Sequence, residues 1–344
     1  TSVTGKAGVL VDLPRINYDA NGENGSLLLE PSRANVIVNS EYILGGDWNQ
    51  LGGALTIAQN TSDTLSPEGK YNAGKITLST AANRYFTSKG YNLGGLTNVS
   101  GSVWLKSDGA DITGKLAFFN GTAGDVITIT NQWQRFEINK TAANSTEYFG
   151  LDFRGAGYST SGVVYCYGWQ LENNATYVSS YIPTMGTSET RAADECSVTG
   201  VSDVIGQTEG TMFLEFNSGA LDGEIQGFSV NDGSSQNRIV IFKNQNDRVQ
   251  LQVRLGGVVQ ASIESSDLTA NTNYKAALAY ANNDVVLYLN GTQVGTDTSA
   301  TIPTCSDVCF DSDSNGGSPL FKETKQALLF KTRLTNAELA ALTL

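Results

Sequence analysis

Apolar residues along this chain recur at every second position far more often than at every third or fourth. In the first half, Val103–Leu105, Lys115–Phe119, Asp125–Thr130, Trp133–Ile138 and Val163–Trp169 alternate or are β-branched and read as strands. Thr211–Phe216, Arg238–Phe242, Val249–Leu255, Tyr274–Tyr280 and Asp284–Leu289 do the same in the second half. The runs return at roughly ten-residue intervals, with Asn-Gly, Asp-Gly, Gly-Gly and Asn-Asp turn pairs between them, the rhythm of antiparallel sandwiches or barrels. One segment differs. In Leu334–Leu344, Thr335 stands three residues before Glu338, a capping box, and good helix formers follow. The expected fold class is all-β: two tandem antiparallel β-sandwich (jelly-roll) domains with an N-terminal connector and one short C-terminal helix.

A chain of 344 residues suits two domains of ~100–200 residues each. Proline, glycine and hydroxyl residues cluster in Ser180–Asp194, between strand-rich regions. Trp48, Trp104, Trp133 and Trp169 all precede that segment and no tryptophan follows it, so two separate cores are expected. The predicted divisions are a connector or attachment arm over 1–33, a first sandwich over 34–185, a hinge over 186–200 and a second sandwich over 201–344.

Composition narrows the chemistry. Histidine is absent, which excludes Ser-His-Asp and Cys-His nucleophiles, a histidine general base and His-containing metal sites. The formal charge is −12, from 22 basic and 34 acidic residues. Residues 1–185 hold 12 basic and 15 acidic (net −3), and residues 186–344 hold 10 and 19 (net −9). Such a chain repels phosphate backbones and anionic membranes, so neither nucleic-acid binding nor membrane insertion is expected. No apolar run reaches the ~18 residues of a membrane span. The opening Thr1-Ser-Val-Thr-Gly lacks a signal pattern, and the chain is expected to begin after processing or to be a fragment.

No catalytic constellation stands out. A glycosidase needs two carboxylates about 5–10 Å apart, and Glu195, Glu209, Glu215 and Glu224 are scattered along the chain. The chain is therefore expected not to be an enzyme. Tyr and Trp at loop tips or on a sandwich face can stack sugar rings, which makes Trp48, Tyr71, Tyr85, Tyr91, Tyr148 and Tyr158 the candidate carbohydrate contacts. Trp104, Trp133 and Trp169 sit inside apolar strands and are expected in the core. Asp311, Asp313 and Asn315, followed by Gly316, match the start of a calcium loop. Without flanking helices they would form a calcium turn rather than an EF-hand, and no cofactor is otherwise required. Cys166, Cys196, Cys305 and Cys309 allow three pairings, among which spacing does not choose.

Three stretches carry a resemblance. Pro14-Arg-Ile-Asn-Tyr-Asp, Leu27-Leu-Leu-Glu-Pro-Ser-Arg-Ala-Asn-Val and Asn39-Ser-Glu-Tyr before Trp48 resemble the opening of tailed-bacteriophage fibre and spike proteins, "PRIDY…LLLEPSRTNLL…SE.F…W". Asn17 replaces the usual Asp and Ala34 the usual Thr. Trp169-Gln-Leu-Glu, Tyr177-Val-Ser-Ser-Tyr-Ile-Pro-Thr and Thr190-Arg-Ala-Ala-Asp are similar to the stretch that closes the first jelly roll in those proteins. Val103-Trp-Leu-Lys and Trp133-Gln-Arg-Phe resemble the strands of carbohydrate-binding-module-like jelly rolls. Tyr274–Tyr280, Asp284–Gly295 and Arg333–Leu339 resemble the back half of concanavalin-A-like (laminin-G-like) domains. There Asn-Gly is a hairpin turn, and the closing "RLT.AEL" starts a terminal helix.

The resemblance implies a virion structural protein with no catalytic residues to carry over. It would be a tail-fibre or capsid-fibre subunit, assembled as a homotrimer at the virion surface. Its N-terminal arm would meet other virion proteins, and its sandwiches would adhere to host surface polysaccharide. The alternatives are a capsid decoration protein without recognition, a polysaccharide depolymerase, and a bacterial surface adhesin.

Overall fold

The computed structural model of the chain describes residues 15–18, 25–50, 55–80, 84–95, 97–219, 221, 223, 225–310 and 323–344. They form two compact units: one within Ser32–Arg191, the other combining Ala192–Leu344 with the described part of Leu10–Pro31. The all-β class expected from the alternation is the class observed, with Asn336–Leu342 as the α-helix among the described residues. Two details differ from the sequence reading. Part of the segment assigned to the connector belongs to the second unit. Within the expected hinge, Glu189–Arg191 is a strand of the first unit and Ser197–Val198 a strand of the second.

In the first unit, one sheet runs in the order Gly124–Ile129, Ile112–Phe118, Phe149–Asp152, Tyr85–Ser88, Trp48–Gln50. The other runs Gln134–Thr141, Asn98–Ser107, Gly162–Asn173, Arg33–Asn35, Glu189–Arg191, with Gly74–Leu78 and then Leu55–Ala58 beside the first half of Gly162–Asn173. The pairings are antiparallel. Along Asn98–Ser107, Val99, Val103 and Leu105 enter the core while Trp104 and Lys106 point away, the two-residue period of a strand. At the centre Trp48 stacks on Phe86 (4.9 Å, 10° between planes), and Trp169 packs against Trp48, Phe86 and Phe149. Burying a side chain such as Phe149 contributes about 1.5–3 kcal/mol.

The strand Gly162–Asn173 carries one bulge. Its register against Asn98–Ser107 shifts by one residue between Tyr167 and Gln170. Gly168, inside the shift, has φ +65°, a conformation that strains residues with a Cβ.

Two of the stretches singled out in the sequence, around Asn35–Ser40 and Trp169–Thr184, meet in a buried network. The Asn35 amide donates to Trp169 O (3.0 Å) and Ile182 O (2.9 Å), and its oxygen accepts from the backbone N–H of Ile37 and Leu171 (3.1 Å each). All four of its hydrogen-bonding capacities are used. Ser40 and Thr184 bond reciprocally, Ser40 N to Thr184 Oγ1 (3.0 Å) and Thr184 N to Ser40 Oγ (2.8 Å). Asn35, Ser40 and Thr184 are buried and tie the two stretches together; they do not face solvent.

In the second unit, one sheet runs Ile16–Asn17, Ser26–Leu27, Glu323–Phe330, Glu209–Asn217, Asn273–Ala281, Asp284–Leu289, Thr292–Asp297. The other runs Ser197–Val198, Asp307–Cys309, Gln226–Asn231, Arg238–Lys243, Arg248–Leu255, Val258–Asp267. Met212, Leu214, Phe228, Ile241, Leu251 and Leu278 are among the core residues. Asn290 (φ +46°) and Gly291 (φ +78°) join Asp284–Leu289 to Thr292–Asp297; two successive positive φ values make the tight hairpin turn that Asn-Gly favours.

The capping box is formed: Thr335 N donates to Glu338 Oε2 (2.7 Å) and Glu338 N to Thr335 Oγ1 (3.3 Å). Leu339 of the helix packs on Phe213, Ala277, Ala279, Val286 and Tyr288, on the sheet face turned away from the main core. Arg15, beside the first strand, donates to Asp194 Oδ2 (2.6 Å) and to Glu30, which is 2% exposed.

Candidate functional site

The outward face of the first unit's five-stranded sheet gathers the most chemistry. Cross-strand pairing sets Val126 opposite Lys115, Lys115 opposite Asp152, and Asp152 opposite Tyr85. All stand on the face opposite the core residues Leu116, Leu151 and Phe86. Opposed side chains on one sheet face have Cβ atoms ~5 Å apart, so this row is one continuous surface. Phe119, just past its strand, brings its ring to 5.4 Å from Tyr85. Arg154 then lies over both, its guanidinium carbon 4.4 Å from the Tyr85 centroid and 5.7 Å from that of Phe119.

Asp152 holds Arg154 in that position. Arg154 Nε and Nη2 donate to the two carboxylate oxygens at 2.8 Å each, and its backbone N–H donates to Oδ1 at 3.0 Å. Burial works against the Asp152 charge. The Arg154 hydrogen bonds and the charges of Arg154 and Lys115 outweigh it and hold the carboxyl below its ordinary value. Arg154 is raised in turn, chiefly by its hydrogen bond to Asp152. Among the described residues, Arg154 Nη1 and Lys115 Nζ have no hydrogen-bond or ion-pair partner. The result is a planar cation fixed on aromatic rings, with an open N–H edge. It can hydrogen-bond hydroxyl and carboxylate oxygens, while the part-exposed rings of Tyr85 and Phe119 beside it offer apolar surface. It holds no activated nucleophile.

Of the aromatic residues singled out from sequence, Tyr85 is at the centre of this face. Phe119 N donates to Tyr148 O (2.9 Å), and Tyr158 closes the turn after Arg154 by donating its N–H to Gly155 O (3.1 Å). Both rings are part-exposed. Tyr71, 58% exposed, lies on the loop between Leu55–Ala58 and Gly74–Leu78 of the other sheet. Trp48 and Tyr91 require correction: each is 7% exposed. The Trp48 indole is sandwiched in the core. The Tyr91 hydroxyl accepts from Val38 N (3.2 Å), and burial pushes its pKa up to about 12. Neither offers a ring face to a ligand.

Phe119, Asp152, Arg154 and Lys115 were not found from sequence. The alternation in Lys115–Phe119 marks Lys115 as outward, but nothing local shows that Phe149–Asp152 and Tyr85–Ser88 are its neighbours.

The other sheet's outward face is more enclosed. Trp104, expected in the core, is part-exposed there: Arg135 lies 4.8 Å over its ring and Tyr181 meets it edge-on at 5.4 Å. Trp133, also expected in the core, is part-exposed and donates Nε1–H to Leu65 O (2.8 Å). Both follow from parity, since Val103, Leu105 and Phe136 take the inward positions. Trp169 is buried as expected. Tyr167 Oη lies 3.0 Å from Glu41 Oε1 and 2.9 Å from Glu68 Oε2; burial first, and then the two carboxylates, raise its pKa. With the hydroxyl buried, this arrangement serves packing rather than substrate access.

Asp311, Asp313 and Asn315 lie outside the described residues. Among the described residues no group of three or more Cys, Asp or Glu is placed to hold a metal ion. All four cysteines are free thiols, and burial pushes Cys166 and Cys305 up to about 12. Among the described residues no helix is long and apolar enough to cross a membrane.

No family model matches the chain. No curated protein matches it either. Among solved structures it is similar to the CBM40 module of the Ruminococcus gnavus IT-sialidase bound to α2,3 sialyllactose, at 15% identity and a TM-score of 0.36 over 44% of this chain and 96% of that one. It is also similar to a SAP-like pentraxin from Limulus polyphemus, at 12% identity and a TM-score of 0.32 over 39% and 69%. A third likeness is to a receptor binding domain, at 12% identity and a TM-score of 0.34 over 44% and 39%. At these TM-scores no ligand of those proteins transfers to this chain.

Proposed function

We propose that the chain is a non-catalytic glycan-adhesion protein that binds polysaccharide on the outward Tyr85–Phe119–Arg154 face of its first sandwich. The carrying observation is the Arg154 guanidinium, clamped by Asp152 over two aromatic rings and open along Nη1. Sugars present hydroxyl edges and C–H faces together, and a fixed planar donor beside part-exposed aromatic rings meets both. The phage-like stretches favour a setting at the virion surface, as a tail-fibre or capsid-fibre subunit. It would contact other virion proteins through its N-terminal arm and work as a homotrimer. Individually weak sites gain from repetition around such a particle.

The test is binding of the full chain to purified bacterial envelope polysaccharides, followed by calorimetry. Tyr85→Ala and Arg154→Ala should each weaken binding by about tenfold or more, while Tyr71→Ala leaves it unchanged. Unaltered binding in the first two variants would remove this face from the function. Release of new reducing ends would assign a depolymerase instead.

A further inference from the structure

We infer that the ligand of this face is an acidic polysaccharide, recognised through its carboxylates. The inference rests on the glycan reading above and deepens it. The described strands of this sheet carry three charged residues, Lys115, Asp125 and Asp152. Asp125 pairs with the core residue Leu116 in register, on the inward set, and is taken up by Lys140 at 2.7 Å. On the outward face Asp152 is neutralised by its two-pronged bond to Arg154.

That leaves Lys115 as one uncompensated positive charge, directly across from Asp152, on a chain whose net charge is −12. Arg154 adds the N–H groups of Nη1. Two cationic donors from neighbouring strands thus border the same aromatic surface. A neutral sugar would use the N–H edge and the rings and leave the Lys115 ammonium unmatched. A carboxylate within reach of both donors gains charge-assisted hydrogen bonds, which are roughly twice as strong as neutral ones. The chain's net negative charge disfavours an acidic polymer on average, so a local positive excess marks where one can bind.

The experiment compares polygalacturonate, hyaluronan, alginate and polysialic acid with the carboxyl-reduced form of each, using the full chain. At least one acid form should bind, about fivefold or more tighter than its reduced form, and high salt should erase that advantage. Lys115→Gln should cut the acid form's advantage by about twofold or more, leaving what Arg154 supplies. Tyr85→Ala should weaken both forms. Equal binding of acid and reduced forms, or a Lys115→Gln variant that keeps the preference undiminished, overturns the acidic ligand and leaves glycan binding standing. Absence of binding to every polymer, with folding intact by circular dichroism, overturns both.

Discussion

Arg15 and Asp194 stand 179 positions apart, yet Nη1 of the first donates to Oδ2 of the second at 2.6 Å. The same aspartate oxygen accepts the Glu30 backbone N–H at 2.9 Å, and Arg15 also holds the Glu30 carboxylate. Three separate sequence motifs therefore converge on one ionic cluster within the second unit. Burial works against the Arg15 charge, but Glu30 and then Asp194 outweigh it, so its pKa is raised.

Removing Arg15 takes the cation away from a carboxylate that is buried. Arg15→Ala should cost the second unit about 2–4 kcal/mol, and Arg15→Lys should recover only part, because an ammonium cannot reproduce the fork of bonds. Urea unfolding of the two variants beside the parent measures this. An unchanged midpoint for Arg15→Ala would make the cluster a bystander.

The first unit has a neutral counterpart in Asn35. Asn35→Ala leaves two carbonyls and two N–H groups without their side-chain partner in a buried place, and should destabilise by about 2–4 kcal/mol. Asn35→Asp should do at least as much harm, since a carboxylate would face Trp169 O and Ile182 O where the amide now donates. Thermal melts read both. A melt within error of the parent would contradict the account.

Asp152 supplies a pH dependence with a definite sign. Its folded pKa lies below its ordinary 3.8, so the stabilisation is complete above that value and is lost as pH falls through the folded pKa. Because the site is near the surface, the contribution is on the order of 1 kcal/mol after solvent screening. Asp152→Asn should lower stability at neutral pH and match the parent in strong acid. Denaturation midpoints across pH 2–7 would show the two curves merging at the acid end. Parallel curves would exclude the assignment.

The thiols give a chemical check. Burial raises Cys166, Cys196 and Cys305, and thiolates are the reactive form. Alkylation at pH 8 should be slow in the folded chain. Unfolding without reductant should expose four titratable thiols. A count of two or zero would restore one of the disulfide pairings that sequence spacing leaves open.

The strand runs, the Asn290-Gly291 turn and the Thr335–Glu338 capping box were all legible, because each depends on residues close together in sequence. The candidate site was legible only in Tyr85 and in the flanking Tyr148 and Tyr158. Its other parts come from strands that are not neighbours along the chain, and register between such strands is a tertiary property. Trp48 misled for a related reason: its segment is polar, and its burial is decided by Phe86 and Trp169, 38 and 121 positions later. Trp104 misled in the opposite direction, since an apolar run does not by itself say which residues of a strand face inward.

The bulge at Gly168 carries a consequence for chain length. Before it Val164 and Cys166 are the inward residues, and beyond it Trp169 and Leu171 are. Even numbers give way to odd because one residue is inserted. Deleting Gly168 would remove the bulge and leave Trp169 alone opposite Val103, still facing in, whereas forcing Gly168 into regular alternation would turn Trp169 out and drive Gln170 and Glu172 toward Phe86 and Phe149. The bulge thus works as a phase shifter, absorbing the one residue by which the two hydrophobic patterns are out of step. A residue inserted elsewhere in the strand, with no bulge to absorb it, would invert every side chain beyond it.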